Sequence, residues 1–348
     1  MSTLRDIAQK AGVSVPTVSR ILNPRGTHIS ARPETIKRIR DAADELHYTP
    51  NAAARSLSTS RTQNIALLLD SARDNPEEDF YWAPIIRGIA KQCRRDSTGC
   101  LISLEKYREA DRFEIPLSIR EKKVDGFIAT HPIGMNNVEF IDKLILTRTP
   151  FVIVSFFSSD PRVWSISCDP AIGYRDACRH LAGLGHKKIG YMIYPEWTAA
   201  EDRIIWSPER ASGEKLVFSP VTIDLSQYNH AKIAEGIAEK IVSGKLDITA
   251  LIIGDIIGIH LIAQLAAKGI RVPEDFSIVG FDDSYVCTLS SPKLTSIQCP
   301  LEEMGVAAVS MLSERIKAEH RGQSIAARHL SLPKSFIVRD STGPAPID

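Results

Sequence analysis

Three short apolar stripes open the chain. Leu4, Ile7, Ala8 and Ala11 recur at helical spacing, Val18, Ile21 and Leu22 form a second stripe, and Ile36, Ile39, Ala43 and Leu46 a third. The first 46 residues therefore predict three helices, each burying one face. Thr3 fits as the cap of the first helix, and Asp6 three positions on completes a capping box. Gly12 supplies the sharp turn that two crossed helices need. Ser14 fits as the cap of the second helix, with Pro16 in its first turn, where a missing N–H costs little. From residue 62 the pattern changes. Asn64 to Leu69, Cys100 to Leu104, Val124 to Ala129, Pro150 to Val154, Lys188 to Met192, Ala250 to Ile253 and Phe276 to Phe281 are short apolar runs. Helix-length segments, such as one around Pro84 to Arg95, separate them. This alternation predicts an α/β body, and its length favours two doubly wound parallel sheets with a ligand cleft between them.

Charge sharpens the reading of the head. Residues 1–61 hold ten Lys and Arg against five Asp and Glu, leaving 33 against 37 for the rest of a chain whose net charge is +1. A basic head on a mildly acidic body is the electrostatic footprint of a protein that grips phosphate with one end. With Val18, Ile21 and Leu22 turned inward, Val15, Pro16, Thr17, Ser19 and Arg20 are left on the outer surface or at the helix start. Residues at the start of a recognition helix reach base edges in the major groove. Arg20 suits guanine O6 and N7, while Thr17 and Ser19 suit phosphate oxygens. A small helical bundle with no nucleic acid is the alternative.

Other chemistries find little support. The six cysteines, at 93, 100, 168, 178, 287 and 299, show no C-x-x-C and no histidine spacing for zinc, so they read as reduced thiols of a cytoplasmic protein. No signal peptide is evident. The most apolar stretch, Ala250 to Ala267, is broken by Asp255, His260 and Gln264, so no membrane association is expected. Walker loop, G-x-S-x-G elbow and H-E-x-x-H are missing, so neither an enzyme nor a cofactor is expected. His186, beside Lys187, reads as structural.

Two motifs carry a resemblance. Gly12 to Arg20 reads G-V-S-V-P-T-V-S-R and Tyr48 to Leu57 reads Y-T-P-N-A-A-A-R-S-L. Both resemble the DNA-binding and hinge region of the lactose/galactose repressor family of bacterial transcription regulators. The resemblance implies that Val15 and Pro16 choose the operator sequence, with Thr3, Ser14, Thr17, Ser19 and Arg20 also at the DNA. The chain departs from the family at the third helix, where Arg32-Pro33 precedes Glu34-Thr35 after a loop through Arg25 and His28. Asn51 can cap a short helix favoured by Ala52, Ala53 and Ala54. So short a helix is marginal alone, and by resemblance it forms against its dimer mate on DNA. Asn51, Ala54 and Leu57 then contact the minor groove, with Leu57 wedged between base steps. The alternative is that Leu57 packs on the core.

The resemblance extends over nearly the whole chain through D-P-A-I-G (Asp169 to Gly173), L-G-H-K-K-I-G (Leu184 to Gly190), V-P-E-D-F-S-I-V-G-F-D-D (Val272 to Asp283) and P-K-L-T-S-I (Pro292 to Ile297). It implies an N-terminal all-α helix-turn-helix headpiece on a two-lobed core like the periplasmic sugar-binding proteins. The expected divisions are a DNA-binding domain at 1–48, a hinge at 49–61, a core at 62–340 and a tail at 341–348. Crossovers near 160, 290 and 325 would give an N-lobe of 62–160 and 292–325 and a C-lobe of 161–291 and 326–340.

Sugars are held by fork donors and carboxylates, with aromatic rings against their apolar faces. By resemblance, Arg203 and Asp282 match the effector pocket of sugar-responsive members, though either could be a surface ion pair. Phe80, Tyr81 and Trp82 after the first strand, Ser155 and Phe156 after the fourth, and Trp197 and Trp206 flanking Arg203 are expected in loops facing the cleft, with core packing as the alternative for each. Asp255 stands where relatives carry Asn-Asp. It is a further candidate, with capping of the next helix its favoured role. The run Glu77 to Ile89 resembles the branch of the family that answers to β-galactosides. The same scaffold also answers to purines, sugar phosphates or protein corepressors. The expectation is a homodimeric repressor on a near-palindromic double-stranded operator, released by a small sugar. The C-terminal leucine heptad of tetrameric members is missing from Arg339 to Pro344. A sugar-binding transport or chemoreceptor protein and an enzyme on a doubly wound fold remain as rivals.

Overall fold

The computed structural model describes residues 2–22, 31–50, 56, 61–70, 79–105, 114–130, 137–155, 158, 160–193, 215–223 and 229–346. It forms two compact units, Met1–Thr62 and Gln63–Asp348.

The first unit holds α1 (Leu4–Ala11), α2 (Val15–Leu22) and α3 (Pro33–Glu45). The capping box forms as the spacing predicts: the Asp6 carboxylate accepts from the Thr3 amide at 2.8 Å, and the Thr3 hydroxyl accepts from the Asp6 amide at 3.4 Å. Gly12 ends α1 with φ +61°, a left-handed turn that glycine adopts without steric penalty. The three predicted stripes meet in one core around Ile7, Val18 and Ile39, all fully buried. At the start of α3, Arg32 provides no side-chain cap, and Pro33 instead removes one of the amides a cap would have to satisfy.

The second unit contains two six-stranded sheets. Sheet A comprises β1 (Asn64–Asp70), β2 (Gly99–Glu105), β3 (Gly126–Thr130), β4 (Phe151–Val154), β5 (Ser165–Asp169) and β11 (His329–Pro333), in the order β11-β5-β4-β3-β1-β2, all parallel. Sheet B comprises β6 (Lys188–Ile193), β7 (Val217–Thr222), β8 (Ala250–Ile252), β9 (Ser277–Asp282), β10 (Thr295–Gln298) and β12 (Ser335–Ile337), in the order β12-β10-β9-β8-β6-β7. It is parallel except for β12, which pairs antiparallel with β10 at the edge. Alternate residues of one strand serve opposite cores, as a sheet covered on both faces requires: Leu67 packs with Ile128 and Val152, its neighbours Ala66 and Leu68 with Phe127 and Phe151.

Helices α4 (Asp79–Asp96), α5 (Leu117–Arg120), α6 (Asn137–Leu146), α7 (Pro170–Gly183), α8 (His230–Val242), α9 (Asp255–Ala267) and α10 (Leu301–His320) complete the described elements, with a 3-10 turn at Tyr285–Thr288. α10 lies against α4 so closely that a β-carbon on Gly88 would run into the Glu302 carbonyl, and one on Gly305 into the Ile85 carbonyl. Across the same contact Glu302 takes Arg87 at 2.7 Å and Lys91 at 3.1 Å.

The chain passes between the sheets later than the apolar pattern suggests. β5 and β11 belong to sheet A, and α10 packs on β3, β4 and β5, so the crossovers fall at Asp169–Pro170, at Cys299–Pro300 and at Lys334 alone. The lobe limits expected near 160, 290 and 325 move accordingly. The cause is local. β5 reads S-I-S-C-D and β11 H-L-S-L-P, alternating rather than continuously apolar, because Ser165 and Ser167 spend their hydroxyls on the His329 ring at 2.9 and 3.1 Å. The expected tail at 341–348 is also corrected over its described part. Ser341 is fully buried and donates to the Ile278 carbonyl at 2.6 Å, and the Ala345 amide donates to the Leu184 carbonyl at 2.8 Å.

Candidate DNA-reading helix and effector site

Helix α2 is held by its inner face and offers its outer one. Val18 and Ile21 are sealed in the core, Thr17 and Ser19 are half-buried, and Pro16 and Arg20, one helical turn apart, are exposed. Arg20 has no acidic partner among the described residues. Two expectations need correction. Val15 is half-buried and packs against the core, so its side chain is only partly available to a thymine methyl. Ser14 begins α2 through its carbonyl, which accepts from the Thr17 and Val18 amides at 3.0 and 3.1 Å. Its hydroxyl lies 2.8 Å from that of Thr17 instead of capping an amide. Thr3 is exposed, yet its hydroxyl and amide are both engaged by Asp6; those hydrogen bonds, the amide's foremost, hold the Asp6 carboxyl below its ordinary range. Asn51, Ala54 and Leu57 lie outside the described residues.

In the second unit, all three crossovers leave from the carboxyl ends of strands, the end where open α/β sheets bind ligands. The described candidates gather there. Phe80, Tyr81 and Trp82, expected in a loop, are the first turn of α4. Phe80 is exposed, whereas Tyr81 and Trp82 pack edge to face at 5.0 Å and lean on the sheet A core. The Tyr81 hydroxyl lies 2.7 Å from that of Ser155, which follows β4 with a left-handed φ of +62°. Burial pushes the Tyr81 phenol well above its ordinary range, and neighbouring Cys299 and Asp282 add to it.

Asp282 ends β9 with φ +101°, a conformation uncommon for any residue with a side chain, and Asp283 follows at φ +54°. The two carboxylates differ in their commitments. Asp283 is ion-paired with Arg339 at 2.6 Å and accepts from Gln298 at 3.0 Å. Among the described residues, Asp282 faces a single cation, the Lys334 ammonium at 3.9 Å. Its carboxyl is raised by burial and lowered by that lysine.

Asp255 neither caps α9, whose N-cap is Gly254, nor presents itself at the surface. Its carboxylate points inward, accepting from the Ser284 amide at 2.7 Å, the Ser284 hydroxyl at 2.8 Å and the Ser296 hydroxyl at 2.7 Å. The absence of a side chain at Gly280 leaves the room it occupies. Burial first, then the charge of Asp282, push the Asp255 carboxyl up to about 7. It is a strut beneath the loop carrying Asp282 and Asp283. Arg203, Trp206, Trp197 and Phe156 lie outside the described residues.

Sequence reasoning missed Lys334, Ser284, Ser296 and Arg339. For Lys334 a signal existed, a lone cation between the apolar residues Leu332 and Phe336. His186 is structural: buried, its ring meets Thr249, Ser277 and the Gly343 carbonyl at 2.8, 3.0 and 3.1 Å. Among the described residues no three His, Cys, Asp or Glu side chains converge to hold a metal, and no helix is long and apolar enough to cross a membrane.

Comparison with known proteins agrees with both units. Residues 3–51 match the family model of bacterial regulatory proteins of the lacI family, and residues 178–342 that of a periplasmic binding protein-like domain. The HTH-type transcriptional repressor PurR of Aliivibrio salmonicida is 30% identical over 94% of this chain and 96% of its own. The ribose operon repressor of Haemophilus influenzae is 28% identical over 98% of each. In fold, the chain is similar to the Lac repressor dimer bound to operator and the anti-inducer ONPF, with a TM-score of 0.73 at 22% identity over 98% of this chain and 99% of that one. A helix-turn-helix with an exposed reading face, joined to a two-sheet body and similar along its length to transcriptional repressors, places this chain in the lacI family of bacterial regulatory proteins, as a DNA-binding transcription regulator and not an enzyme.

Proposed function

We propose that the chain is a cytoplasmic repressor of a sugar-utilisation operon, binding a near-palindromic operator as a homodimer and released by a small sugar. Residues 1–48 act as the reading head and 49–61 as a hinge, with Leu57 wedged in the minor groove and Asn51 and Ala54 beside it. In the head, Arg20 and Pro16 face base edges, Val15 contributes a partial apolar contact, and Ser14, Thr17, Ser19 and Thr3 meet the backbone. Two-fold pairing of identical heads requires a two-fold site. In the core, Asp282 takes effector hydroxyls, with Arg203 as a fork donor and Phe80, Trp82 and Trp206 as apolar platforms. Tyr81 and Ser155 hold the facing wall through their mutual hydrogen bond. Asp255 supports this site from beneath rather than touching the ligand.

The observation that carries the effector reading is Asp282: a carboxylate at the strand ends, on an uncommon backbone conformation, with one described cation and no described hydrogen-bond donor. A carboxylate so placed suits the hydroxyl donors of a sugar. A relative that is a ribose operon repressor is consistent with this class, and the resemblance of residues 77–89 favours a galactoside within it. The test is a thermal-shift screen against free and glycosidic sugars, sugar phosphates and purines. At 100 times its dissociation constant a ligand adds about 2.7 kcal/mol. A shift with galactosides that vanishes in Asp282→Ala and Arg203→Ala is expected. A shift confined to purines or sugar phosphates would discard the sugar.

A further inference from the structure

Lys334 is one residue long as a connection, yet it carries a charge into the interior. It alone joins β11 of sheet A to β12 of sheet B, and its side chain is 2% exposed. Burying an ammonium is strongly unfavourable unless something compensates it. The Phe281 ring, whose centroid is 3.6 Å from Nζ, and Asp282, whose Oδ1 is 3.9 Å away, contribute to that compensation. Both partners end the same strand, β9, and the Asp282 carboxylate is 28% exposed where the lysine is not. The lysine therefore stands behind the carboxylate, on the side away from solvent.

The other groups facing Asp282 make this arrangement asymmetric. Asp255 at the start of α9, Tyr81 in the first turn of α4 and Cys299 at the second crossover all interact with it electrostatically. Each is acidic or neutral. Arg339 is taken by Asp283 at 2.6 Å and the Leu294 carbonyl at 2.7 Å. Without Lys334, a largely buried carboxyl whose other described titratable neighbours are acidic or neutral would take up a proton more readily, and protonation turns one of its acceptor oxygens into a donor and weakens its hold on a sugar hydroxyl.

We infer that Lys334 is a positioning residue for effector recognition, holding Asp282 ionised and turned toward the ligand from the only link between β11 and β12. The inference rests on the proposed role of Asp282. It adds a coupling: a change in lobe angle turns the backbone at Lys334, so the counter-charge of the binding carboxylate moves with the hinge.

The test is a titration of the full chain carrying aspartate labelled with 13C at the side-chain carboxyl, with Asp282 assigned through Asp282→Asn. The expected midpoint of Asp282 in Lys334→Met lies about one to three pH units above wild type, and Lys334→Arg recovers most of the shift. An unchanged midpoint in folded Lys334→Met overturns the inference. If Lys334→Met does not fold, the double variant Lys334→Met/Asp282→Asn decides. Recovered melting is expected when both charges go, and a double variant no more stable than the single one overturns the pairing. With D-galactose as the probe, the thermal-shift response should disappear at a higher pH in Lys334→Met than in wild type. A wild-type chain that ignores D-galactose counts against the sugar reading, while the titration still decides the pair.

Discussion

Asp255 shows how one buried carboxyl can tie the protein's stability to pH. Unfolded, it releases its proton near 3.8; folded, burial and the nearby charge of Asp282 move that release to about 7. Between these values the folded state holds a proton that the unfolded state has lost, so stability falls as pH rises from about 4 to about 7 and then levels off. The usual aspartate, depressed by a salt bridge, does the opposite. Asp255→Asn keeps a group able to bond Ser284 and Ser296 but cannot titrate. In urea unfolding at pH 5 and pH 8, wild type should lose more stability between the two than Asp255→Asn does. Parallel behaviour of the two proteins would mean that the buried carboxyl is not the source. The three hydrogen bonds it accepts oppose its protonation, which keeps the value below what burial alone would impose.

Elements dominated by one apolar face could be read from the chain; those defined by distant partners could not. The headpiece stripes are self-contained, since Ile7, Val18 and Ile39 need only one another to explain their spacing. The continuous runs of β1, β3 and β4 mark buried parallel strands for the same reason. By contrast, β5 and β11 hide behind serines that pair with His329, more than 160 residues away in sequence for Ser165 and Ser167. α4 begins five residues before Pro84, although that proline cannot donate to the Phe80 carbonyl, because the first turn is held by Tyr81 and Trp82 packing on the sheet A core. The G-F-D-D resemblance pointed to Asp282, but its environment (Lys334 behind it, Ser284 and Ser296 beneath) is assembled from separate turns of the chain. Helix packing carries a prediction at this scale. Gly305→Ala should destabilise by about 1–3 kcal/mol, because α10 meets the backbone of α4 there and nothing flexible can yield. Gly236→Ala on α8, where a β-carbon meets nothing within 4 Å, should instead stabilise by about 0.5–1 kcal/mol. Chemical denaturation of the two variants should give opposite signs; matching signs would remove close approach as the explanation.

For the whole molecule, the proposed repressor has to make two binding events compete. The effector can release DNA only by as much as its affinities for the operator-bound and free proteins differ, however tightly it binds. Typical couplings of 1–3 kcal/mol correspond to roughly 5–150-fold. Because the coupling is a property of the cycle, the operator must weaken the effector by the same factor. This can be measured without knowing the natural target, using a duplex selected in vitro from random sequence and the sugar that gives the thermal shift. Operator affinity is titrated with and without saturating sugar, and sugar affinity with and without saturating duplex, at one salt concentration because phosphate contacts make DNA affinity steeply salt-dependent. Equal factors in the two directions, both weakening, are expected of an inducer. Equal factors that both strengthen binding would make the ligand a corepressor, with Asp282 still its site. A factor of one in both directions would leave a DNA-binding protein and a sugar-binding protein on one chain with no communication between them, and that outcome would end the proposal of sugar-controlled repression.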